Sequence, residues 1–144
     1  MTVTYDPAHA IPRPARWEVL YRSSGPFWDG VAAGKLLLQR CTSCGRWLTP
    51  PRPMCPGCQS RDHEWVPASG HGTVHSFVTY RRSPNPAFAA PYTVVLVELE
   101  EGPRLISNVV GVTPEDVAIG MAVDVVYANV ADDLTLFQFR PAGQ

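Results

Sequence analysis

Four cysteines between residues 41 and 58 constrain this chain more than any other feature, in the stretch CTSCGRWLTPPRPMCPGC. They are all the cysteines of the 144-residue sequence, and they form two C-x-x-C pairs separated by ten residues. Cysteines at i and i+3 of a tight turn can direct both thiolates at one ion, and zinc prefers four ligands in a tetrahedron. We therefore predict a rubredoxin-like zinc ribbon with structural zinc bound by Cys41, Cys44, Cys55 and Cys58.

Glycines accompany both cysteine turns. We expect Gly45 and Gly57 to supply the backbone freedom that the two turns need, because glycine tolerates a positive φ. The intervening GRWLTPPRPM is long enough to leave and return as a short hairpin or loop. Four cysteine ligands leave no open position for water or substrate, so a zinc ion here is predicted to be structural rather than catalytic.

Other uses of four cysteines stay open at this point. Two disulfides would suit a secreted chain, and paired thiolate turns can hold iron as well as zinc. A thioredoxin-like redox pair would need a βαβ context, which the pattern does not show. His63 lies just beyond the second pair and could compete as a ligand, but with four thiolates available we interpret it as a surface histidine.

Charge and hydropathy exclude several classes of protein. Twelve basic and thirteen acidic residues give a net charge of −1, so no overall basic field gathers nucleic acid or anionic lipid. The longest apolar run, YTVVLVELE, is far shorter than the roughly 20 residues that cross a bilayer. The opening MTVTYDPAHA has no charged-then-apolar signal pattern. We expect a cytoplasmic protein without a membrane partner, in which the cysteines stay reduced.

The residues before the cysteines predict short helices. Residues 1–15 contain three prolines and indicate an extended arm. We predict one helix over residues 16–22 and a second that begins near Pro26 and stops at Gly34. KLLLQRC is then expected to be a strand that enters the first cysteine turn.

The residues after the cysteines predict a small barrel. A short helical connector, TPEDVAIG, separates the third and fourth of five predicted strands, which are GTVHSFVTYRR, PYTVVLVELE, PRLISNVVG, MAVDVVYANV and DLTLFQFRP. This order is typical of a five-stranded Greek-key barrel of the OB type. The fold class is therefore mainly β, with an N-terminal arm and helices over 1–34, a zinc ribbon over 35–68 and an OB-fold over 69–144. YTVVLVEL is apolar on both faces, so its outer face should need cover.

Catalytic patterns are missing from the sequence. No G-x-S-x-G elbow is present, and zinc binding would leave no cysteine as a nucleophile. His71 and His75 share a strand face by parity, and without a nearby carboxylate we interpret them as hydrogen-bonding residues. Together these observations predict that the chain has no catalytic residues of its own.

The order of motifs resembles a known family. The sequence combines FWDGVAAGKLLLQRC, the CxxCG–PPR–CPxC ribbon, PYTVVLVELEEGPRLISNVVG and a terminal FRP. From about Trp17 to Pro141 it is similar to the zinc-ribbon plus OB-fold family catalogued as domain of unknown function thirty-five. That resemblance implies a non-catalytic partner subunit in acyl-CoA metabolism.

Proteins of that family sit beside thiolase-superfamily enzymes, including thiolases, acyltransferases and lipid-transfer-protein-like aldolases that cleave steroid side chains; others join MaoC-like hydratases. The resemblance implies stabilisation of the partner and help in holding the coenzyme A group. Within that set we expect a hetero-oligomer with an aldolase acting on a steroid side-chain acyl-CoA, or with another thiolase or acyltransferase.

A rim near the first barrel loop is the candidate surface for coenzyme A or the partner. Phosphates call for arginine and adenine for an aromatic shelf. The loop SPNPAFAAP and the strand ends beside it supply both types, in Tyr80, Arg81, Arg82, Phe88 and Tyr92.

Two other functions compete with the partner subunit. Zinc ribbons and OB-folds commonly bind single-stranded nucleic acid through basic grooves and stacking aromatic side chains. Such binding needs clustered cations, and the predicted barrel contains only Arg81, Arg82, Arg104 and Arg140, so we expect no nucleic-acid partner. A small iron electron carrier is the third possibility, because the same cysteines could ligate iron.

Overall fold

The computed structural model describes residue 6 and residues 16–144, and it contains two compact units. One unit lies within Pro12–Ser69, and the other lies within Gly70–Gln144 and includes Asp6. The remainder of the arm expected over residues 1–15 lies outside the described residues. In the described part of the chain, no helix has both the length and the apolar character needed to cross a membrane.

Within the described residues, the first unit contains one continuous helix, α1 (Arg16–Ala32). The prediction of two helices separated at Ser23–Gly25 was wrong, because Pro26 lies inside α1. Gly25 is buried, as are Phe27 and Val31 farther along the helix. Burial of these residues therefore outweighs the weak helix propensity of glycine and proline, as tertiary contacts often do.

The end of α1 agrees with the prediction. Gly34 has a φ of 71°, and its N–H donates to the carbonyl of Val31 at 3.0 Å. The N–H of Lys35 donates to the carbonyl of Gly30 at 2.7 Å. These two bonds form a Schellman motif, in which glycine accepts the left-handed conformation that ends the helix.

A two-stranded antiparallel sheet follows α1 in the first unit and flanks the cysteine turns. Strand β1 (Leu37–Cys41), expected from KLLLQRC, pairs with β2 (His63–Pro67) from Leu37 opposite Pro67 to Cys41 opposite His63. Strand β2 was not predicted, because its five residues alternate poorly and end at a proline. This pairing places the return of the chain directly beside the first cysteine turn.

The second unit is a closed five-stranded barrel, which confirms the OB-type prediction. Its strands are β3 (His71–Tyr80), β4 (Tyr92–Leu99), β5 (Arg104–Val109), β6 (Ala122–Ala131) and β7 (Leu134–Pro141). They are ordered β3-β4-β5-β7-β6, and β3 pairs with β6 to close the barrel. A 3-10 helix (Pro114–Asp116) lies between β5 and β6, where the short helical connector was predicted.

The barrel core comes mainly from alternating apolar residues. Strand β4 alternates strictly between half-buried and buried positions, so one of its two apolar faces fills the barrel as expected. The buried apolar side chains of the strands are Val74, Val95, Val97, Leu99, Leu105, Val109, Val123 and Phe139. The other face of β4 remains at the surface of the barrel and is described below.

Candidate metal centre and barrel surface

The four cysteine sulfurs lie within 4.8 Å of one another. The Sγ atoms of Cys41 and Cys58 are 3.6 Å apart, and so are those of Cys44 and Cys55. All four thiols are free, and these separations are far longer than the roughly 2.05 Å of a disulfide bond. A zinc tetrahedron with Zn–S bonds of about 2.3 Å has sulfur–sulfur edges of roughly 3.8 Å. The cluster therefore fits the structural zinc that the spacing predicted.

The two cysteine turns repeat the same backbone hydrogen bonds, and we call each turn a knuckle. In the first knuckle, the N–H of Gly45 donates to the carbonyl of Cys41 at 2.9 Å, and the N–H of Cys41 donates to Arg46 at 2.8 Å. In the second, Gln59 donates to Cys55 and Cys55 donates to Ser60 at the same two distances. Each knuckle therefore closes its own turn and presents both of its sulfurs to one point.

The knuckles differ from expectation in where the left-handed residue lies. Gly45 has a φ of 75°, as predicted, but the equivalent residue of the second knuckle is Gln59, with a φ of 63°. Gly57 is not among the glycines with positive φ, so its expected role in the turn was wrong. A non-glycine residue in this conformation costs about 1–2 kcal/mol. Metal binding at the adjacent Cys58 would offset that cost.

Backbone N–H groups and neighbouring sulfurs set the charges of the thiols. The Cys58 backbone N–H lowers the pKa of Cys55 to about 6, and the Cys44 backbone N–H lowers the pKa of Cys41. The Ser60 backbone N–H also lowers the pKa of Cys58, but hydrogen bonds with the other thiols outweigh it and raise that pKa to about 11. Four thiolates this close need a cation to ionise together, and a divalent metal ion would supply it.

His63 lies outside the cysteine cluster. It is exposed, and its Nδ1 lies 3.1 Å from the carbonyl oxygen of Arg61. The interpretation of His63 as a surface histidine is therefore confirmed. The four-sulfur donor set has no open ligand position, which suits a structural rather than a catalytic ion.

Gln39 organises the loop between the knuckles, and no sequence pattern predicts this role. Its side chain is only 2% exposed, and its Oε1 accepts a hydrogen bond from the backbone N–H of Arg52 at 2.7 Å. Its carbonyl accepts the N–H of Leu48 at 2.9 Å. The side-chain amide and the backbone carbonyl of Gln39 thus each hold one part of the loop predicted for GRWLTPPRPM, and only the folded chain brings these groups together.

On the barrel, the structure brings three residues of the predicted rim into contact. Tyr80 and Tyr92 are opposite each other in the β3–β4 ladder, and their rings stack with centroids 5.2 Å apart and planes 14° apart. The Phe88 ring lies 6.0 Å from the ring of Tyr92. These side chains form an aromatic cluster at the base of the loop over residues 81–91.

The two arginines of the rim are both exposed, but Arg81 has a partner that the sequence did not reveal. Its Nη2 lies 3.0 Å from Oε1 of Glu115, which belongs to the 3-10 helix. The pKa of Glu115 is lowered by its own backbone N–H and then by Arg81. The ion pair offsets part of the positive charge of Arg81, so Arg82 is the better placed of the two for an anion.

The aromatic cluster continues into an apolar surface of the barrel. We define the outer face as Val78, Tyr80, Tyr92, Val94, Leu96 and Ile106, which project from β3, β4 and β5. Val78 is 52% exposed and Ile106 is 70% exposed. An ion pair between Arg104 and Glu98, at 2.9 Å, borders the face. An exposed apolar surface with a charged border is typical of a protein–protein contact.

A second polar feature of the barrel joins β3 to β6. The Nδ1 atom of His71 lies 2.6 Å from Oδ1 of Asp124, directly across the ladder. Asp124 raises the pKa of His71 through this hydrogen bond. The pair lines an open cleft of about 460 Å³ together with Glu98 and Glu100. His71 is therefore a hydrogen-bonding residue, as interpreted from the sequence. The premise that it has no nearby carboxylate was wrong, since Asp124 is close in space although it is 53 residues away in sequence.

Two family models match the chain, one for each part of the fold. Residues 28–64 match the rubredoxin-like zinc ribbon domain of ChsH2, and residues 65–128 match the C-terminal OB-fold domain of ChsH2. A solved structure described as the Ltp2-ChsH2(DUF35) aldolase has 41% sequence identity and a TM-score of 0.80. The alignment covers 84% of this chain and 95% of that one.

Curated relatives include longer and shorter proteins. A probable enoyl-CoA hydratase alpha subunit from Thermomonospora curvata is 41% identical over 91% of this chain. The 3-oxo-4,17-pregnadiene-20-carboxyl-CoA hydratase alpha subunit of Mycobacterium tuberculosis is 38% identical over 83% of it. The chain spans only 40% and 38% of those two relatives. A DUF35 domain-containing scaffold protein from Methanocaldococcus jannaschii is 36% identical, over 65% of this chain and 68% of that protein.

Proposed function

Since this chain belongs to the DUF35 family of zinc-ribbon and OB-fold proteins, we propose that it is a non-catalytic subunit of an acyl-CoA enzyme. In this role it assembles with a thiolase-superfamily enzyme, stabilises it and helps to hold its acyl-CoA substrate. The observation that carries the proposal is the similarity along 95% of a chain from the Ltp2-ChsH2(DUF35) aldolase. The closed cysteine cluster supports it, because such a metal centre shapes a protein without offering a reaction site.

The narrower proposal concerns the reaction of the complex. A lipid-transfer-protein-like aldolase that cleaves a steroid side-chain CoA ester is the partner we favour, with other thiolases or acyltransferases as the alternatives. The similarity to an aldolase complex supports the first choice, and the similarity to a pregnadiene carboxyl-CoA hydratase subunit supports a steroid acyl group. We place the complex in the cytoplasm, where four reduced thiols persist.

The outer face is the surface we assign to the partner enzyme. Val78 and Ile106 are exposed apolar side chains on neighbouring parts of one sheet. Covering such a face with a partner removes apolar surface from water and is therefore favourable. We assign the adjoining rim to coenzyme A. There Tyr80, Phe88 and Tyr92 offer an aromatic shelf for adenine, and Arg82 with Arg81 offers charge for phosphate.

Capture of the tagged chain from its native host, followed by quantitative mass spectrometry, tests the assembly. We expect a thiolase-superfamily protein at a near-stoichiometric ratio. Ile106→Glu should abolish its recovery, whereas the matched variant Ile119→Glu should not, because Ile119 is 72% exposed but lies outside the outer face. Equal recovery with both variants would exclude the outer face as the docking surface. Recovery of nucleic acid alone would contradict the proposal.

Binding of an acyl-CoA to the purified complex tests the rim separately. The double variant Arg81→Ala with Arg82→Ala should weaken apparent affinity for the ester without unfolding the chain. Glu115→Gln is the complementary change, because it removes the carboxylate that pairs with Arg81 and should strengthen binding. Unchanged affinity in both cases would remove these arginines from the proposal while leaving partner assembly intact.

A further inference from the structure

The second knuckle carries a glycine that its backbone does not require. Gly57 lies between Cys55 and Cys58, and its φ is not positive, so a residue with a Cβ could adopt the same conformation. The space beside it is occupied instead. A Cβ built on Gly57 would lie 2.9 Å from Nε and 3.0 Å from Cζ of Arg46. The guanidinium of Arg46 therefore lies directly against the backbone of Gly57.

That contact joins the two knuckles. Arg46 ends the first knuckle, where its carbonyl accepts the N–H of Cys41, while its side chain reaches the second knuckle at Gly57. The N–H of Gly57 in turn points at Sγ of Cys55, 3.4 Å away. The guanidinium thus lies against the residue whose N–H donates to one of the four sulfurs.

The first knuckle has a comparable arginine that is held differently. Arg40 Nε donates to the carbonyl of Gly45 at 3.1 Å, and its guanidinium lies 5.2 Å from the ring centroid of Trp47. Each knuckle glycine therefore has an arginine beside it. Arg40 is held by a hydrogen bond and by contact with an aromatic ring. The side chain of Arg46 instead occupies the space that a Cβ at residue 57 would fill.

The two arginines lie beside a metal centre that would carry a negative charge. Four thiolates and one divalent ion carry a net charge of −2, and arginine keeps its positive charge at every pH at which a protein folds. Groups just outside the ligand shell orient the ligands and tune metal affinity. A guanidinium beside the knuckle would therefore stabilise the metal-loaded state more than the metal-free state.

We propose that Arg46 is a positioning residue for the metal centre, and that residue 57 is glycine to make room for it. Arg46 ties the second knuckle to the first and offsets the negative charge of the metal–thiolate cluster. The inference is independent of the partner enzyme, because it concerns only contacts within the ribbon.

Zinc affinity of the full-length chain, measured by competition with a chelator, tests this role. Arg46→Gln should weaken zinc binding by about tenfold, the lower end of the range for residues outside the ligand shell. Arg52→Gln removes the same charge at another exposed position of the ribbon, and it should change affinity less than about twofold, because the side chains against the two knuckle glycines are those of Arg46 and Arg40. Arg46→Lys, which keeps the charge, should recover part of the loss.

Gly57→Ala provides a second, independent test. Its Cβ should displace the guanidinium and weaken zinc binding in the wild-type background. It should have no further effect in the Arg46→Gln background, because the two residues act through one contact. The visible spectrum of the cobalt-loaded variants should retain its four-thiolate charge-transfer bands, which shows that the ligands themselves are unchanged.

The salt dependence of zinc affinity separates the electrostatic effect of Arg46 from its effect on packing. The difference in affinity between wild type and Arg46→Gln should shrink as ionic strength rises, because the electrostatic part is screened. The proposal is overturned if Arg46→Gln behaves like Arg52→Gln. It is also overturned if Gly57→Ala costs as much in the Arg46→Gln background as in wild type, or if the loss does not depend on salt.

Discussion

The ribbon and the barrel are stabilised by different means. In the ribbon, a buried cluster consists of Cys41, Leu48 and Cys55, so two of its three members are metal ligands. In the barrel, the buried side chains are mostly apolar and come from all five hydrogen-bonded strands. We therefore expect the two knuckles to depend on the metal ion, whereas the barrel can form its core from side chains alone.

The two parts also differ in charge. Residues 12–69 contain eight basic and four acidic residues, whereas residues 70–144 contain four basic and eight acidic residues. The near-neutral net charge is therefore the sum of a basic first unit, which contains the ribbon, and an acidic barrel. The acidic barrel argues against binding of nucleic acid by the OB-fold, since phosphate binding needs clustered cations. The basic ribbon instead surrounds a cluster that is negative when it holds zinc.

The largest effect should follow from loss of the metal. Chelation of zinc, or Cys55→Ser, should remove much of the roughly 10–16 kcal/mol that structural zinc contributes at such sites. Hydrogen exchange should then rise across β1, β2 and both knuckles, while the barrel strands stay protected. Simultaneous loss of protection in both parts would show that the barrel depends on the metal as well.

A core substitution in the barrel should destabilise the barrel and leave metal binding by the ribbon unchanged. Phe139 is fully buried, and Phe139→Ala should lower the free energy of unfolding of the barrel by about 3–5 kcal/mol. Chemical denaturation followed by a barrel-specific probe measures the loss, and Phe139→Leu serves as a milder control. Zinc affinity should stay as in wild type, and a large decrease would contradict the independence of the two parts.

A smaller, pH-dependent effect is expected where β3 meets β6. The pKa of His71 is raised by its hydrogen bond to Asp124, and the pKa of Asp124 is lowered by the same contact. The His71 contribution is fully present below its usual pKa of 6.5 and is lost as pH rises through the raised value. The Asp124 contribution is present above 3.8 and is lost as pH falls through the lowered value.

Thermal unfolding across this range tests the pair. The difference in Tm between wild type and His71→Gln should be largest between about pH 4 and 6.5 and should decline at higher pH. The equivalent substitution at His75, His75→Gln, is the control, because His75 is exposed at a bulge between Val74 and Ser76. A difference that grows with rising pH would have the wrong sign for this pair.

The smallest effects on stability should come from the outer face. Ile106→Glu and Ile119→Glu should each change the free energy of unfolding of the isolated chain by less than about 0.5 kcal/mol, as exposed positions usually do. Any loss of partner binding by Ile106→Glu would then reflect docking rather than folding. A destabilisation of several kcal/mol would mean that Ile106 supports the barrel itself.

The spacing of the cysteines was enough to predict the metal centre, and periodicity was enough to predict the five barrel strands and their connector. Both signals are local in sequence. Pro26 led to the wrong prediction of a helix boundary, because burial of Gly25 and Phe27 keeps α1 continuous. Strand β2 was not predicted, because its five residues form a strand only through pairing with β1.

Contacts between distant residues account for the rest. Asp124 and Glu115 lie far in sequence from the cations that they contact, and no local pattern links them. Gly57 was assigned a conformational role because glycine often has one, whereas in the structure it leaves space for Arg46. Such contacts depend on which strands and turns meet, so the sequence alone could not predict them.

We propose that this chain supports another enzyme and does not catalyse a reaction itself. The decisive measurement is the activity of the purified chain, of its captured partner and of their complex toward a steroid side-chain acyl-CoA ester. We expect no turnover by the chain, weak or unstable activity of the partner, and carbon–carbon cleavage by the complex. Turnover by the chain alone, or full and lasting activity of the partner without it, would show that the proposed supporting role is wrong.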